Sequence, residues 1–381
     1  MSFEALYNRH KFRIEKLKLM KINGQKINLV EIWEHDWDAL VNEDNEVLEF
    51  LKTYEEISPL IPREAFYGGR TETFDTNRQT QNDEKIKYVD VISLYPYVMK
   101  VEPYPIGHPI TITENFKDIN EYFGIIKLKI LAPRGLRMPV LPDRSTGQLV
   151  FSLCFSCTKG KQKICNHSEN ERAFTGTWTT VEIKEALKQG YKVLKIYEVL
   201  HYNETSQYDP ITRTGGIFTT YINQFLKMKT EASGYPIGCT TEILKDKYIN
   251  DFLLVEGILL EKTNIKLNEG MRAIAKLMLN SFWGRFGMQS NKKQYKLIRK
   301  TSDWFSLISD DRYVVHDVDF THKNYLQVYF SEKNDYFEST ADVNVVLACF
   351  VCAYGRLKML NELTKLDDRA LYMDTGEHFF I

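Results

Sequence analysis

The sequence predicts a mixed α/β fold of the α+β kind, an antiparallel sheet joined to a largely helical segment. Three observations predict it. Asp90 sits inside a short apolar β-type run, Tyr88 to Ile92, and Ser93-Leu94-Tyr95-Pro96 then turns sharply, which puts a carboxylate near the tip of a strand. Helical patterns dominate residues 217–284. Residues Ala370 to Ile381 read as a hairpin whose turn carries Asp374-Thr375-Gly376.

Length and composition set the frame. A chain of 381 residues, 43% apolar and 13% aromatic, can hold two or three domains and bury a large core. The net charge of −1 gives no overall argument for nucleic acid. Two local clusters, Lys292, Lys293, Lys296, Arg299 and Lys300, and Lys159, Lys161 and Lys163, are either phosphate-tracking patches or ordinary solvated surface. No cleavable signal opens the chain, and no apolar run reaches bilayer length. Six cysteines do not make a secreted disulfide framework in a chain of this size. The default is an intracellular reducing compartment with no membrane partner.

Taken in order, residues 1–65 carry no clear domain signature; Arg13 to Leu40 is mixed charged and apolar, with Trp33 and Trp37. Phe66-Tyr67-Gly68-Gly69 follows, then a polar loop, Thr71 to Glu84; paired glycines permit positive φ and close backbone approach. Residues 107–214 read as an insertion. Within it Gly124 to Leu131 alternates like a strand, and Pro133 to Gly147 is turn-rich. Thr179-Thr180-Val181-Glu182 fits a capping box and Gly190 a stop, so 180–189 should be a helix; Tyr191 to Tyr202 should be a strand. Helices are expected over Phe218–Ala232, Thr241–Leu254 and Gly270–Trp283, the first broken by Ser233-Gly234-Tyr235-Pro236. Arg272, Lys276 and Asn280 stand at i, i+4 and i+8 and line one face. Two cations one turn apart repel mildly, a cost that a bound triphosphate would remove. Lys292 to Phe330 is basic and β-rich, and Val343 to Leu363 is a helix.

Two cysteine patterns share a spacing but differ in surroundings. Cys154-x2-Cys157 followed by Cys165-x-His167 offers four zinc ligands on one loop. Two readings stand: a structural Zn²⁺ site with no open position, or reduced thiols and a free imidazole. Cys349 and Cys352 have the same spacing but lie in an apolar helix, where buried small side chains are the better account.

Three segments in this order, Asp90-Val91-Ile92-Ser93-Leu94-Tyr95-Pro96, Lys276-Leu277-Met278-Leu279-Asn280-Ser281-Phe282-Trp283-Gly284 and Tyr372-Met373-Asp374-Thr375, resemble motifs A, B and C of family B DNA polymerases. The likeness is to the protein-primed branch of viruses, linear plasmids and self-synthesising transposons, and covers most of residues 66–381. It implies a right-hand polymerase fold: 66–106 as the first part of the palm, 107–214 as an insertion, 215–290 as fingers, 291–342 as a basic β-rich insertion and 343–381 as the second part of the palm. Residues 1–65 would be the tail of an N-terminal region, with exonuclease and thumb largely missing.

The chemistry implied is template-directed transfer of a deoxynucleotide from a dNTP to a primer 3′-OH. Two Mg²⁺ (or Mn²⁺) ions about 4 Å apart would activate the hydroxyl and neutralise the leaving pyrophosphate. By the resemblance, Asp90 and the Val91 carbonyl bind metal, and Asp374 is an accessory catalytic acid. Tyr95 lies under the sugar and excludes a 2′-OH; Arg272 and Lys276 grip the phosphates, and Asn280 checks base and sugar. Phe66, Gly68 and Gly69, matching a YxGG motif, and Ser281 and Gly284 face DNA. The implied partners are template-primer DNA, dNTPs and a terminal priming protein.

The third motif departs from the pattern. The family writes Tyr-x-Asp-Thr-Asp-Ser, and its second Asp is the metal ligand; here Gly376 stands in that place. Strand alternation puts Glu377 on the opposite face, able to reach the metals only through a bulge. The expectation is therefore a fragment or impaired copy, with a non-catalytic nucleic-acid-binding remnant as the alternative. Either way, Asp90 and Lys276 must border one cleft.

Overall fold

The computed structural model describes residues 3–22, 25–53, 58–81, 83–333, 336–337 and 343–380. The expected tail 1–65, the polar loop 71–84, the basic stretch to 342 and the last hairpin residue, Ile381, fall partly outside these.

The chain divides into two compact units, residues 1–58 and 59–381. The first contains helices Phe3–Leu19, Glu34–Glu43 and Asn45–Thr53 and a short antiparallel pair, Lys21–Ile22 with Gln25–Lys26. Trp33 and Trp37 are exposed within it.

The second unit holds the predicted α+β architecture. One four-stranded antiparallel sheet is built from β1 (Thr71–Thr73), β2 (Lys87–Asp90) and the C-terminal hairpin. A second four-stranded antiparallel sheet comes from the segment 107–214. Helix α1 (Leu94–Val101) follows β2 directly. The second sheet runs in the order β3-β6-β4-β5, with β3 at Ile110–Ile112, β4 at Gly124–Leu131, β5 at Phe174–Thr179 and β6 at Lys192–His201; α2 (Thr180–Lys188) joins β5 to β6. β4 is central and buried on both faces but for Lys129.

The predicted helices follow as α3 (Thr219–Glu231), α4 (Glu242–Glu256) and α5 (Glu269–Phe286). The basic stretch forms a three-stranded sheet, order β7-β9-β8, from β7 (Gln294–Ile298), β8 (Tyr313–Asp319) and β9 (Leu326–Glu332). It is not wholly β-rich, because α6 (Thr301–Ile308) crosses from β7 to β8. The chain then enters α7 (Val345–Leu366) and closes in the hairpin of β10 (Ala370–Asp374) and β11 (Glu377–Phe380). The first sheet thus reads β1-β10-β11-β2.

The main core draws on residues from Leu60 to Met373 and centres on α7, whose residues 348–353 are wholly buried. A helix apolar all round belongs at such a centre. Cys349 and Cys352 are buried there, as the sequence indicated, and burial raises the Cys352 thiol to about 12.

Two local expectations change. The β-type run stops at Asp90, because Ser93 adopts the left-handed region (φ 59°) and α1 begins at Leu94. The α2 helix forms, but not with a capping box. The Thr179 hydroxyl donates to the Glu182 carboxylate (2.9 Å) and accepts from no backbone amide of the first turn, and Glu182 is drawn into a buried pair with Arg356 of α7.

Candidate functional site

Register builds the acidic side of the site. Asp90 lies opposite Glu377, Glu377 opposite Asp374, and Asp374 opposite Thr71. Directly opposed residues of antiparallel strands share a face, so the three carboxylates form one row. Asp374 Oδ1 accepts from the hydroxyls of Thr71 (3.0 Å) and Thr375 (3.1 Å). The neighbouring Glu377 carboxylate holds the Tyr88 phenol above its ordinary range. The expectation that Glu377 faces away is corrected here. Thr375 and Gly376 form the turn between β10 and β11, so strand alternation does not run through them, and Glu377 opens β11 beside Asp90 without a bulge at that point.

Gly376 lies against Asp90 and Val91. Its carbonyl accepts from the Val91 amide at 2.9 Å. A Cβ at Gly376 would stand 3.5 Å from both Asp90 Oδ1 and the Val91 carbonyl oxygen, which is ordinary contact. Position 376 therefore admits a Cβ next to Asp90 and Val91 without a clash.

The cationic side comes from two helices. Asn268 caps α5 by accepting from the Met271 amide (3.0 Å), and the helix presents Arg272, Lys276 and Asn280 to the cleft. Lys229 arrives from α3 with its ammonium 3.4 Å from Ser93 Oγ. Burial, then Lys276 and Arg272, hold its pKa below the ordinary lysine range. Together these side chains and the carboxylate row border one cleft of about 660 Å³. Asp90 and Lys276 do share it, as the sequence reading required. Lys229 was not anticipated. Its signal was present: Ile222, Phe225, Leu226 and Lys229 fall at i, i+3, i+4 and i+7, so a lysine continues the apolar stripe of α3.

Aromatic stacking joins the segments. The Tyr95 ring stacks on Trp283 at 4.8 Å and 20°, and Phe66 meets Trp283 edge-on at 6.4 Å. Burial raises the Tyr95 phenol well above its usual range. Gly69 is required by Thr375: a Cβ there would come within 2.6 Å of the Thr375 hydroxyl. At Gly68 a Cβ would touch only Leu149, and at Gly284 nothing. The Ser281 hydroxyl donates to the Leu277 carbonyl at 2.7 Å. Asp90, the Val91 carbonyl, Asp374 and Glu377 are all hard oxygen donors, the set that Mg²⁺ or Mn²⁺ takes.

The cysteine set also converges. Cys154, Cys157, Cys165 and His167 place one ligand atom each within 4.8 Å of the others. None of them lines the cleft.

Comparison with known proteins places these findings. A profile of the family described as DNA polymerase type B, organellar and viral, matches residues 37–237 and 241–366. The chain is similar to a probable DNA polymerase of Neurospora intermedia, 24% identical over 304 residues, which is 76% of this chain and 24% of that protein. It is similar to a DNA polymerase of Kluyveromyces lactis, 25% identical over 258 residues, 68% of this chain and 20% of that protein. A probable DNA polymerase of Ascobolus immersus is 23% identical over 317 residues, 83% of this chain and 21% of that protein. The chain thus spans only 20–24% of the length of these relatives. Among solved structures it is similar to Phi29 DNA polymerase complexed with primer-template DNA, at a TM-score of 0.49 and 15% identity over 97% of this chain and 58% of that one.

Proposed function

This chain belongs to the organellar and viral type B DNA polymerases, and from that premise we propose that its cleft binds a deoxynucleoside triphosphate against template-primer DNA for transfer to a primer 3′-OH. The single observation that carries the reading is the meeting, in one cleft, of the acidic row of the first sheet with the cationic face of α5. Residues 66–106 and 343–381 act as palm and 215–290 as fingers. Segment 107–214 is the surface for a terminal priming protein of the protein-primed type.

The geometry supports the following division of labour. Arg272, Lys276 and Lys229 hold the polyphosphate; the mutual repulsion of three cations is relieved when it binds. Asn280, two turns along α5, meets the base and sugar. Tyr95, fixed flat by Trp283, closes the space at the 2′ position, so ribose is rejected by exclusion. Template and primer run past Phe66, Gly68, Gly69, Ser281 and Gly284; among the described residues nothing lies within 4 Å of a Cβ at Gly284. Asp90 and the Val91 carbonyl would hold Mg²⁺ or Mn²⁺, with Asp374 or Glu377 beside them. Such ions supply charge neutralisation at the phosphates and a lowered pKa at the primer hydroxyl.

Gly376 supports a second reading, a nucleic-acid-binding remnant without catalysis, because position 376 brings no carboxylate although a Cβ there would meet Asp90 and Val91 only at ordinary contact. Primer extension with Mg²⁺ and with Mn²⁺ separates the two. If the cleft is catalytic, incorporation is measurable and Asp90→Ala lowers it roughly a thousandfold, about 4 kcal/mol of barrier. If it is a remnant, DNA binds without incorporation, and Gly376→Asp creates activity. Absence of both DNA binding and dNTP binding would sink both.

A further inference from the structure

The geometry points to a structural zinc site in the connection between β4 and β5, formed by Cys154, Cys157, Cys165 and His167. It is independent of the cleft and of any reading of the cleft's chemistry.

The distances carry the inference. His167 Nδ1 stands 3.3 Å from the Cys157 sulfur, 3.5 Å from that of Cys154 and 3.9 Å from that of Cys165. A tetrahedral ion with Zn–S near 2.3 Å and Zn–N near 2.05 Å separates sulfur from nitrogen by about 3.6 Å. The three measured values bracket that edge. Hydrogen bonding alone does not explain them, since one ring nitrogen has one proton or one lone pair to offer and here faces three sulfurs. Four donors converging on a common point are what one ion arranges. Three thiolates and an imidazole are soft and borderline ligands, which select zinc over the hard cations of the cleft.

The surroundings suit such an ion. The Cys157 amide is directed at the Cys154 sulfur at 3.4 Å. Arg134 holds the other pair: its guanidinium donates to the His167 carbonyl (2.7 Å), the Cys165 carbonyl (3.4 Å) and the Cys165 sulfur (3.6 Å). Outer partners of this kind fix ligand orientation and tune the site. A divalent ion with three thiolates carries one net negative charge. Arg134 and the exposed Lys159, Lys161 and Lys163, on the loop between Cys157 and Cys165, offset it. All four positions are filled by protein, which leaves none for substrate, so the ion is structural. The need for it is local. The connection from 132 to 173 contains two short helices and one isolated bridge, Asp143 with Val150, and no ladder to define its path.

Elemental analysis of the full chain, purified without chelator, should find about one zinc per chain. Cys154→Ser combined with Cys157→Ser should remove it, while Cys239→Ser should not. His167→Cys should keep it, because four thiolates also form a closed site. Should the double variant fail to fold, the wild-type chain gives a second readout. Stepwise mercurial modification should release zinc to a chromogenic chelator only as the cluster thiols react, and the metal-free chain should become newly cleavable by trypsin at Lys159, Lys161 and Lys163. A freshly purified wild-type chain holding under about 0.2 zinc and showing no thiolate-to-metal absorption with Co²⁺ overturns the inference. So does undiminished zinc in a folded double variant.

Discussion

Lys229 reaches the cleft half-buried and close to Arg272 and Lys276, and its lowered pKa has two consequences of opposite sign. In the free protein the folded pKa lies below the unfolded one, so the unfolded chain binds more protons between the two values. Stability therefore rises with pH across that alkaline window. A bound polyphosphate reverses the balance, because it favours the ammonium. Nucleotide binding should then take up protons at alkaline pH, and affinity should fall as pH rises through the lysine's lowered pKa. Calorimetry in two buffers of different ionisation enthalpy reads this uptake directly. Lys229→Gln should diminish the uptake and weaken dNTP binding roughly tenfold, about 1.4 kcal/mol; an unchanged uptake would assign the proton to another group. This residue also shows how site residues become legible. Arg272, Lys276 and Asn280 could be grouped because one helix spaces them, and Asp90 because a strand ends there. Lys229 and Glu377 join them only through tertiary geometry. One comes from a separate helix. The other depends on where a two-residue turn interrupts strand alternation.

At the scale of elements, long periodic segments were readable and short polar decisions were not. The helix expected over Gly270–Trp283 extends over Glu269–Phe286, and that expected over Val343–Leu363 is Val345–Leu366. Their patterns run for several turns, so end effects matter little. Helix α6 was hidden because Trp304, Phe305, Leu307 and the β-branched Ile308 form an aromatic and aliphatic run that reads as strand, and its N-cap, Lys300, makes no side-chain cap. The false capping box has a tertiary cause. Glu182 is fully buried and accepts from Arg356 at 2.7 and 3.0 Å, while Arg356 also donates to the carbonyls of Tyr67 and Gly68 at 2.7 Å each. One guanidinium thereby pins α7, α2 and the segment leading into β1. Glu182→Gln keeps the shape but leaves a buried cation without its counter-charge. It should destabilise the chain by about 3–5 kcal/mol in urea unfolding. A loss under about 1 kcal/mol would mean that the carbonyls alone suffice for Arg356.

Among the described residues of 59–381, segments distant in sequence supply one main core, and two smaller clusters stand apart from it. The sequence marked α+β content and the order of segments, but not this hierarchy, because core membership depends on which apolar faces meet. Segment 107–214 looks like an insertion in sequence, yet its sheet supplies Ile125, Ile126, Leu128, Trp178 and Val199 to the main core. By contrast, β7, β8, β9 and α6 gather around a small buried cluster of Ile298, Leu307, Val328 and Phe330, with partly buried side chains such as Trp304 and Tyr313 against it. Local opening free energy follows the apolar surface that opening exposes. Opening the three-stranded sheet exposes a small cluster, whereas freeing the fully buried turns of α7 dismantles the main core. Amides of 294–298, 313–319 and 326–332 should therefore exchange through a sub-global opening several kcal/mol below the global unfolding free energy, and those of 348–360 only at the global limit. Hydrogen exchange under EX2 conditions, followed by mass spectrometry across a urea series, measures both. The β7–β9 amides should give a shallow urea dependence, since little surface opens with them, and those of α7 the full unfolding slope. Equal protection and equal slopes in the two regions would mean that the small cluster melts with the main core, and that the unit has no separable part between α5 and α7.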